Sequence, residues 1–446
     1  MASGPPPGPP GSVVAATNKK RKGNGSGRVV PSHHGGAALT GFRQAPVESL
    51  NLEEVYGSLI SSPATGRRRS PFATTFSYPP HVQGVLNNRN SCFINAVLQA
   101  LVFTPPFAQL AVSAAAEIEL CPTLATLGRW LLSYWARLPT QSIAPPRLPL
   151  ALHGQATSFS SPVRQGNMDG SVQEDAAEFM QHMLEIIQAE LCALERRFRQ
   201  NAKFGDTADD SHGNKTQTKG WTFVNGRERL SVREQSDERH SILFSAIFGG
   251  SVESHLKGKS KTKDHVSVVV EGFFMLQVDV CFGAECSLEV ALERTLQMER
   301  VHDDAREKDL LKTLKLRRLP IVLLLQVRRW AVTAEGELVK LDNIVHFSKT
   351  LVLPKSTCAD TTVSNAARTY ELVAFVSHRG RATERGHYVA YLTDASSSGN
   401  VAPAAVEAVR GGEVLTLCND ARVTTATMQE AVEGEAVYVL VYQHKA

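Results

Sequence analysis

Several common features are missing from this sequence of 446 residues. No apolar run reaches the roughly 18 residues that a membrane-spanning helix requires, and the N-terminal MASGPPPGPPGS lacks the apolar core of a signal peptide. The seven cysteines are odd in number and scattered, so a disulfide framework is not indicated. The net charge of +4 is too small to predict a nucleic-acid binder. We therefore expect a cytoplasmic protein, with no membrane and no nucleic acid among its partners.

The segment 1–80 differs in composition from the rest of the chain. It holds 11 of the 22 prolines and 11 of the 32 glycines, and its nine Lys/Arg face only three Glu. Such a segment has too little apolar surface to offset the conformational entropy that it would lose on ordering. We therefore predict a disordered basic tail over 1–80. The run Lys19–Lys22 could be a nuclear localisation signal, which would add the nucleus to the expected locations. The tail could also bind a partner, with residues 51–60 as a short helix.

The order of the remaining elements indicates the fold class. Apolar residues recur with helical spacing in Phe93–Val102 and in Phe179–Leu191. Ser171 followed by Glu174 has the pattern of a capping box ahead of the second helix. Short β-rich runs come later, at 321–327, 372–376, 388–392, 414–417 and 437–442. Helices followed by strands predict the α+β class, and the Gly/Ser/Ala-rich segment 395–412 is interpreted as a low-complexity insertion.

One cysteine follows a turn rich in glycine and asparagine. The segment GVLNNRNSC places Cys92 in the first turn of the first predicted helix, where the helix macrodipole favours a thiolate. Asn87 lies five residues earlier, and its amide could donate to a developing oxyanion. A lone cysteine at such a place is more often a small buried hydrophobe, so this feature alone does not establish a nucleophile.

A histidine and an Asn-Asp pair could supply the other groups that a nucleophilic cysteine needs. His387 opens a strand after a glycine-flanked polar loop, where a general base is held rigidly and can face a cleft. Asn419 or Asp420, at the end of another strand, could accept a hydrogen bond from the far ring nitrogen of His387. Because the chain has 14 histidines, spacing alone does not select this one.

Five motifs, taken together and in order, resemble the ubiquitin-specific protease family. They are GVLNNRNSCFINAVLQAL, SVQEDAAEF, LPIVLLLQVRRW, the segment 370–391 with Gly-His-Tyr, and the final Asn-Asp pair. The resemblance implies a papain-like cysteine protease fold of the ubiquitin-specific protease type over residues 84–444. Its thumb would run from about 84 to 240, and its fingers and palm from about 241 to 444. The fingers would use strands near 244–252 and 266–280.

The resemblance also implies an activity. A thiol-dependent deubiquitinase cleaves the peptide or isopeptide bond after the C-terminal Gly-Gly of ubiquitin, so ubiquitin and ubiquitinated proteins would be the partners. Cys92 would be the nucleophile, His387 the general base, Asn419 its orienting partner with Asp420 as alternative or helper, and Asn87 the oxyanion donor. The residues implied to bind substrate are Gln173, Asp175, Glu178, Phe179, Gly386 and Tyr388. For the two acids, the alternative is that they favour the helix N-terminus.

The chain departs from the family pattern at several positions. Arg89 stands where the family has glycine, and a positive φ there would cost arginine about 1–2 kcal/mol. Leu415 stands where tryptophan is common, and both departures favour the alternative of a catalytically weak ubiquitin-binding scaffold. Cys418 replaces an aromatic residue and is interpreted as a core thiol. The two CxxC pairs that hold zinc in many members are missing, and Cys281 and Cys286 lack further ligands at suitable spacing. We therefore predict no metal site and no cofactor.

Overall fold

The computed structural model describes residues 45–61, 70–77, 82–138, 140–149, 174–203, 219–225, 228–234, 240–258, 265–280, 285–297, 299–303, 308–333, 336–380, 386–393 and 413–445. The α-helices in these ranges are α1 Leu52–Ser61, α2 Cys92–Val102, α3 Pro105–Ser113, α4 Pro122–Ala136, α5 Ala176–Lys203, α6 Ile242–Ser245, α7 Leu288–Thr295 and α8 Met428–Gly434. The strands are β1 Lys219–Asn225, β2 Glu228–Glu234, β3 Gly250–Gly258, β4 His265–Phe273, β5 Met275–Asp279, β6 Cys286–Ser287, β7 Glu299–Asp303, β8 Lys308–Arg318, β9 Val322–Arg328, β10 Trp330–Val332, β11 Leu338–Lys340, β12 Val345–His346, β13 Thr350–Val352, β14 Thr369–Arg379, β15 His387–Leu392, β16 Val414–Asn419, β17 Arg422–Thr427 and β18 Ala436–His444.

The helices α2 to α5 form the thumb. Every residue of α2 is buried, and the edge of Phe93 packs on the ring of Phe179 in α5, with 5.5 Å between the ring centroids. Pro105 and Pro106 open α3, because proline fits the first turn of a helix and cannot continue the preceding one. In the described residues no single helix is long and apolar enough to cross a membrane. Among the described helices, α2 and α3 together have the length and composition, but they are bent by 96° relative to each other.

The start of α5 differs from the predicted capping box. Ser171 lies outside the described residues and five positions before the helix, which begins at Ala176. The Oδ1 atom of Asp175 accepts hydrogen bonds from the backbone N–H groups of Ala177 at 2.8 Å and Glu178 at 3.0 Å. This is the geometry of an N-cap aspartate. The box at Ser171 is therefore wrong, and Asp175 caps the helix.

The palm is an eight-stranded sheet in the order β17-β16-β15-β14-β18-β9-β5, with β13 paired to β14. All five predicted β-rich runs lie in this sheet, as β9, β14, β15, β16 and β18. Successive side chains point to opposite faces, so Leu324 and Val439 join the thumb core while Leu323 and Leu325 join a second core behind the sheet. The insertion predicted at 395–412 lies outside the described residues.

The fingers are a six-stranded sheet in the order β1-β2-β4-β3-β8-β7. Two predicted boundaries are wrong. Phe244 belongs to α6, and β5 belongs to the palm, where it pairs in parallel with β9. In the part of the chain that the structure describes, no three His, Cys, Asp or Glu are grouped to hold a metal. Cys281 lies outside that part, and Cys286 is buried in β6.

Part of the predicted tail is folded. Helix α1 buries Leu52, Tyr56 and Leu59, and the Nε atom of Arg199 in α5 donates to the Tyr56 hydroxyl at 2.6 Å. The prediction of disorder over 1–80 is therefore wrong for 45–61 and 70–77. A ten-residue amphipathic segment here buries its apolar face on its own chain, despite flanks rich in proline and glycine. The remaining tail prediction concerns residues outside the described ranges.

Candidate active site

Cys92 and His387 meet between the thumb and the palm. Cys92 is the first residue of α2 and is 3% exposed. His387 is the first residue of β15, opposite Arg379 of β14. The hydrogen bond with Cys92 is the main reason why the pKa of His387 is raised to about 9; burial opposes the shift, and a hydrogen bond with Asn419 supports it. An imidazole with such a high proton affinity can take the proton of the cysteine thiol beside it, which is the role of the base in thiol chemistry.

The structure distinguishes the two candidates for orienting His387. The Nε2 atom of His387 lies 2.7 Å from Oδ1 of Asn419. An amide oxygen can only accept, so Nε2 carries the hydrogen and donates, which leaves Nδ1 for the thiol. Oδ2 of Asp420 is 3.8 Å from Nε2, beyond hydrogen-bonding distance. Asn419 is therefore the residue that orients His387.

Asp420 instead holds two asparagines of the thumb. Its Oδ2 accepts from Nδ2 of Asn87 at 2.8 Å, and its Oδ1 accepts from Nδ2 of Asn95 at 2.7 Å. Asp420 is the first of two residues in the β16–β17 turn and has a φ of 50°, a conformation that aspartate tolerates better than most residues. The carboxylate thus ties the palm to the N-terminal end of α2.

The amide of Asn87 is held at both ends. Its Oδ1 accepts from the backbone N–H and from the hydroxyl of Ser91, each at 3.1 Å, so its NH2 group must face Asp420. An NH2 group carries two hydrogens, and the bond to Asp420 uses one. The role of oxyanion donor stays a prediction for Asn87, and this fixed orientation gives it a physical basis.

Asn95 was missed by the sequence analysis. It is 2% exposed and bonds Asp420 from the position three residues after Cys92, on the same face of α2. The available signal was an asparagine, one of two amide residues in the mostly apolar helical stretch CFINAVLQALV. A buried amide needs partners, and here the partner comes from a distant turn.

The backbone before Cys92 fits tightly against the β16–β17 turn. The N–H of Val85 donates to the carbonyl oxygen of Asp420 at 2.9 Å. A Cβ atom on Gly84 would lie 2.1 Å from the carbonyl oxygen of Ala421, so a side chain does not fit there. Arg89 has a φ of 68°. The turn therefore keeps the glycine-type conformation with an arginine, at the expected cost of about 1–2 kcal/mol.

Two aromatic residues predicted to bind substrate are core residues. Phe179 is fully buried, so the prediction is wrong for it, because a ring without exposed surface cannot touch a partner. Tyr388 is 5% exposed, packs against Tyr438 and hydrogen-bonds the backbone of Ala176. Its ring is almost wholly buried and links the palm to the start of α5, while substrate contact stays a prediction for it.

The acidic residues at the start of α5 have different surroundings. Oδ2 of Asp175 accepts from the hydroxyl of Tyr438, and burial raises the pKa of this carboxyl. Asp175 therefore serves the cap and the thumb–palm junction. Glu178 is exposed in the first helical turn. Substrate contact stays a prediction for Glu178, and Gln173 lies outside the described residues.

Gly386 lies against the ring of His378. A Cβ atom at this position would be 2.1 Å from Nε2 of His378 and 2.5 Å from the carbonyl oxygen of Arg379. Burial is the main reason why the pKa of His378 falls to about 4, so this ring is neutral at pH 7. The residue before His387 must therefore lack a side chain, while its contact with substrate stays a prediction.

The two other departures from the family pattern are core positions. Leu415 and Cys418 are each 2% exposed. Burial raises the pKa of the Cys418 thiol well above its ordinary value. Cys418 is therefore a core thiol, as predicted, and Leu415 packs in the core behind the palm sheet.

Comparison with known proteins places this geometry in context. The family model described as ubiquitin carboxyl-terminal hydrolase matches residues 83–442. Ubiquitin carboxyl-terminal hydrolase 10 of Xenopus tropicalis is 26% identical over 343 residues, which cover 69% of this chain and 42% of the relative. Ubiquitin carboxyl-terminal hydrolase 24 of Arabidopsis thaliana is 27% identical over 369 residues, which cover 76% of this chain and 64% of the relative. The matched chain thus spans less than two thirds of either relative.

A solved structure shares the fold. The SAGA Ubp8/Sgf11/Sus1/Sgf73 DUB module bound to ubiquitin aldehyde superposes with a TM-score of 0.51 at 19% identity, covering 82% of this chain and 70% of the other. At this identity the likeness concerns the fold alone. It agrees with the thumb, palm and fingers described above.

Proposed function

Because the chain belongs to the ubiquitin carboxyl-terminal hydrolase family, we propose that it is a cysteine-type deubiquitinase. Its substrates are ubiquitinated proteins, and the bond it hydrolyses is the peptide or isopeptide bond after the C-terminal Gly-Gly of ubiquitin. The observation that carries this proposal is the alignment of Cys92, His387 and Asn419 across the thumb–palm junction.

The sulfur of Cys92 attacks the carbonyl carbon of the terminal glycine. His387 takes the thiol proton on Nδ1, while its Nε2–H stays bonded to Asn419. The tetrahedral intermediate then collapses, and His387 gives that proton to the departing amine. A thioester remains on Cys92, and water activated by His387 hydrolyses it. The chain's own side chains supply each proton acceptor and donor in this sequence.

Negative charge develops on the carbonyl oxygen during each attack. The N–H groups at the start of α2 point along the helix axis toward its N-terminal end, where the dipole favours an anion. The amide of Asn87 has its orientation fixed by Ser91 and Asp420, so it can donate to the oxyanion without reorganisation. Asp420 and Asn95 act through Asn87 and the backbone as positioning residues.

An electrophile-tipped ubiquitin probe tests the proposal. The full-length protein should form a covalent adduct, seen by intact-mass spectrometry, and Cys92→Ala should form none. A catalytically weak scaffold would bind ubiquitin without an adduct. A hydrolase of another class would neither bind nor react, and either result would overturn the proposal.

The basic run in the N-terminal segment supports a separate proposal about location. We propose that it acts in the cytoplasm and enters the nucleus through Lys19–Lys22. Replacing these four residues by alanine should shift a fluorescently tagged full-length chain out of the nucleus. An unchanged distribution would contradict the nuclear signal. The proposal that the tail binds a partner now concerns residues 1–44, since 45–61 and 70–77 pack on the chain itself.

A further inference from the structure

One cleft on this molecule is lined partly by residues that precede the family-matched region. Its volume is about 1930 Å³, larger than the roughly 300–1,000 Å³ of small-molecule sites. Its walls come from α5, from the base of the fingers, from the end of the palm sheet and from the segment Ser70–Thr75. A space of this size and make-up suits a protein surface.

The segment Ser70–Thr75 is fixed to both the thumb and the palm. The side chain of Phe72 is 2% exposed. The backbone N–H of Ala73 donates to Oε1 of Gln109 in α3 at 2.5 Å, and Nε2 of Gln443 in β18 donates to the carbonyl oxygen of Thr74 at 2.6 Å. This stretch is therefore a built part of the cleft wall. Thr75 is exposed on it.

Two elements connect this cleft to the catalytic centre. Gln181 and Gln188 line the cleft from α5, and at 1.5 Å per residue they lie about 9 and 20 Å along the helix from Asp175. Strand β18 runs from Tyr438, which bonds Asp175, to His444, which lines the cleft. Six residues of strand span about 20 Å. Both elements thus place the cleft about 10–20 Å from the thumb–palm junction.

A single ubiquitin molecule, with a folded body and an extended C-terminal tail, fits this spacing. About six extended residues reach 20 Å, so a tail ending at Cys92 can belong to a body seated in the cleft. We propose that Ser70–Thr75 forms part of the surface that binds the folded body of ubiquitin, an inference that rests on the proposed function. The substrate-binding surface of this chain therefore includes residues upstream of its family-matched region.

A matched pair of substitutions tests this inference. Thr75→Arg places a long charged side chain in the cleft wall. Ser77→Arg adds the same side chain two residues further on, at an exposed position that does not line the cleft. The substrate is ubiquitin that carries a C-terminal fluorogenic amide. Thr75→Arg should raise KM for it about tenfold, because the arginine disrupts one region of contact with the ubiquitin body. The kcat value should stay unchanged, and Ser77→Arg should match the wild type.

Two further measurements separate binding from folding. The dissociation constant of unmodified ubiquitin, measured in the Cys92→Ala background, should rise for Thr75→Arg by the same factor as KM, with no change in thermal midpoint. Equal KM values for the two arginine variants would overturn the inference, and so would a loss of kcat and stability together. If no protein turned over ubiquitin amide, the proposed function would fail first, which is a different outcome.

Discussion

The palm and the finger sheets belong to one chain, yet they are stabilised in different ways. In the palm, six of the seven residues of β9 and six of the nine of β18 are buried. In the fingers, the buried side chains among the residues of β3, β4 and β8 whose burial the structure describes are Ser254, Val268, Val270 and Leu316. The palm is held by packing on both faces, whereas the described parts of β3, β4 and β8 depend more on strand pairing.

This difference bears on where the candidate catalytic residues lie. The palm carries His387 and Asn419, whose hydrogen bonds require precise placement, and buried sheets provide it. The described parts of β3, β4 and β8 bury few apolar side chains and are expected to open locally at lower free energy. We conclude that the residues proposed to do the chemistry lie on the more deeply buried sheet.

The largest expected effect comes from removing the general base that the palm carries. His387→Ala removes the group that takes and returns the proton, so kcat should fall by at least about 10³-fold. Ubiquitin binding should remain, because the imidazole contributes to chemistry. Turnover of ubiquitin amide and binding to immobilised ubiquitin measure the two quantities. Retained turnover would show that another base serves Cys92.

The next effect concerns the asparagine fixed by the palm turn. Asn87→Ala should lower kcat by about 10²–10³ with little change in KM, since an oxyanion donor acts mainly in the transition state. Asn88→Ala, at the exposed neighbouring position, is the control and should resemble the wild type. Steady-state kinetics of both variants decides the matter. Equal kcat values for the two variants would show that Asn87 does not act as an oxyanion donor.

A pair of leucines compares the two sheets directly. Leu324→Ala, in the fully buried part of β9, should cost about 2–5 kcal/mol of unfolding free energy. Leu256→Ala, on half-buried β3, should cost no more than about 1 kcal/mol. Urea denaturation of both variants gives the values. Similar costs would mean that the fingers hold a core of their own.

The smallest effect is a gain. Arg89→Gly should raise the unfolding free energy by about 0.5–1 kcal/mol, the relief of a positive φ minus the extra chain entropy of glycine. Asn88→Gly, a position without positive φ, should be destabilising instead. Urea midpoints measure both. A loss of stability in Arg89→Gly would indicate that contacts of the arginine outweigh the strain.

The same contrast explains what could be predicted from sequence. The palm strands were found because both faces are buried, which gives sustained apolar runs such as Val322–Leu325. The finger boundaries were misplaced because half-exposed strands lack that signal. Cys92, His387 and Asn419 were identified through a resemblance across motifs.

Contacts between distant segments escaped prediction. Asp175 and Tyr438 are 263 residues apart, so nothing local shows that the acid serves a thumb–palm bond. The polar side chain of Asn95 donates a hydrogen bond to a residue 325 positions later in the chain. Helix α1 was assigned to a disordered tail because its neighbours dominate the composition, whereas burial on α5 and α6 decides its state.

The most direct test of the account is the titration of His387 by NMR in the wild type and in Cys92→Ala. The pairing with Cys92 raises the pKa of His387 from an ordinary 6.5 to about 9. The contribution of this pairing to the stability of the folded protein is therefore full below about pH 6.5 and is lost as the pH rises through 9. We predict a midpoint near 9 in the wild type and a clearly lower one in the variant. A midpoint near 6.5 in both proteins would contradict the claim that the thumb thiol and the palm imidazole form a working pair.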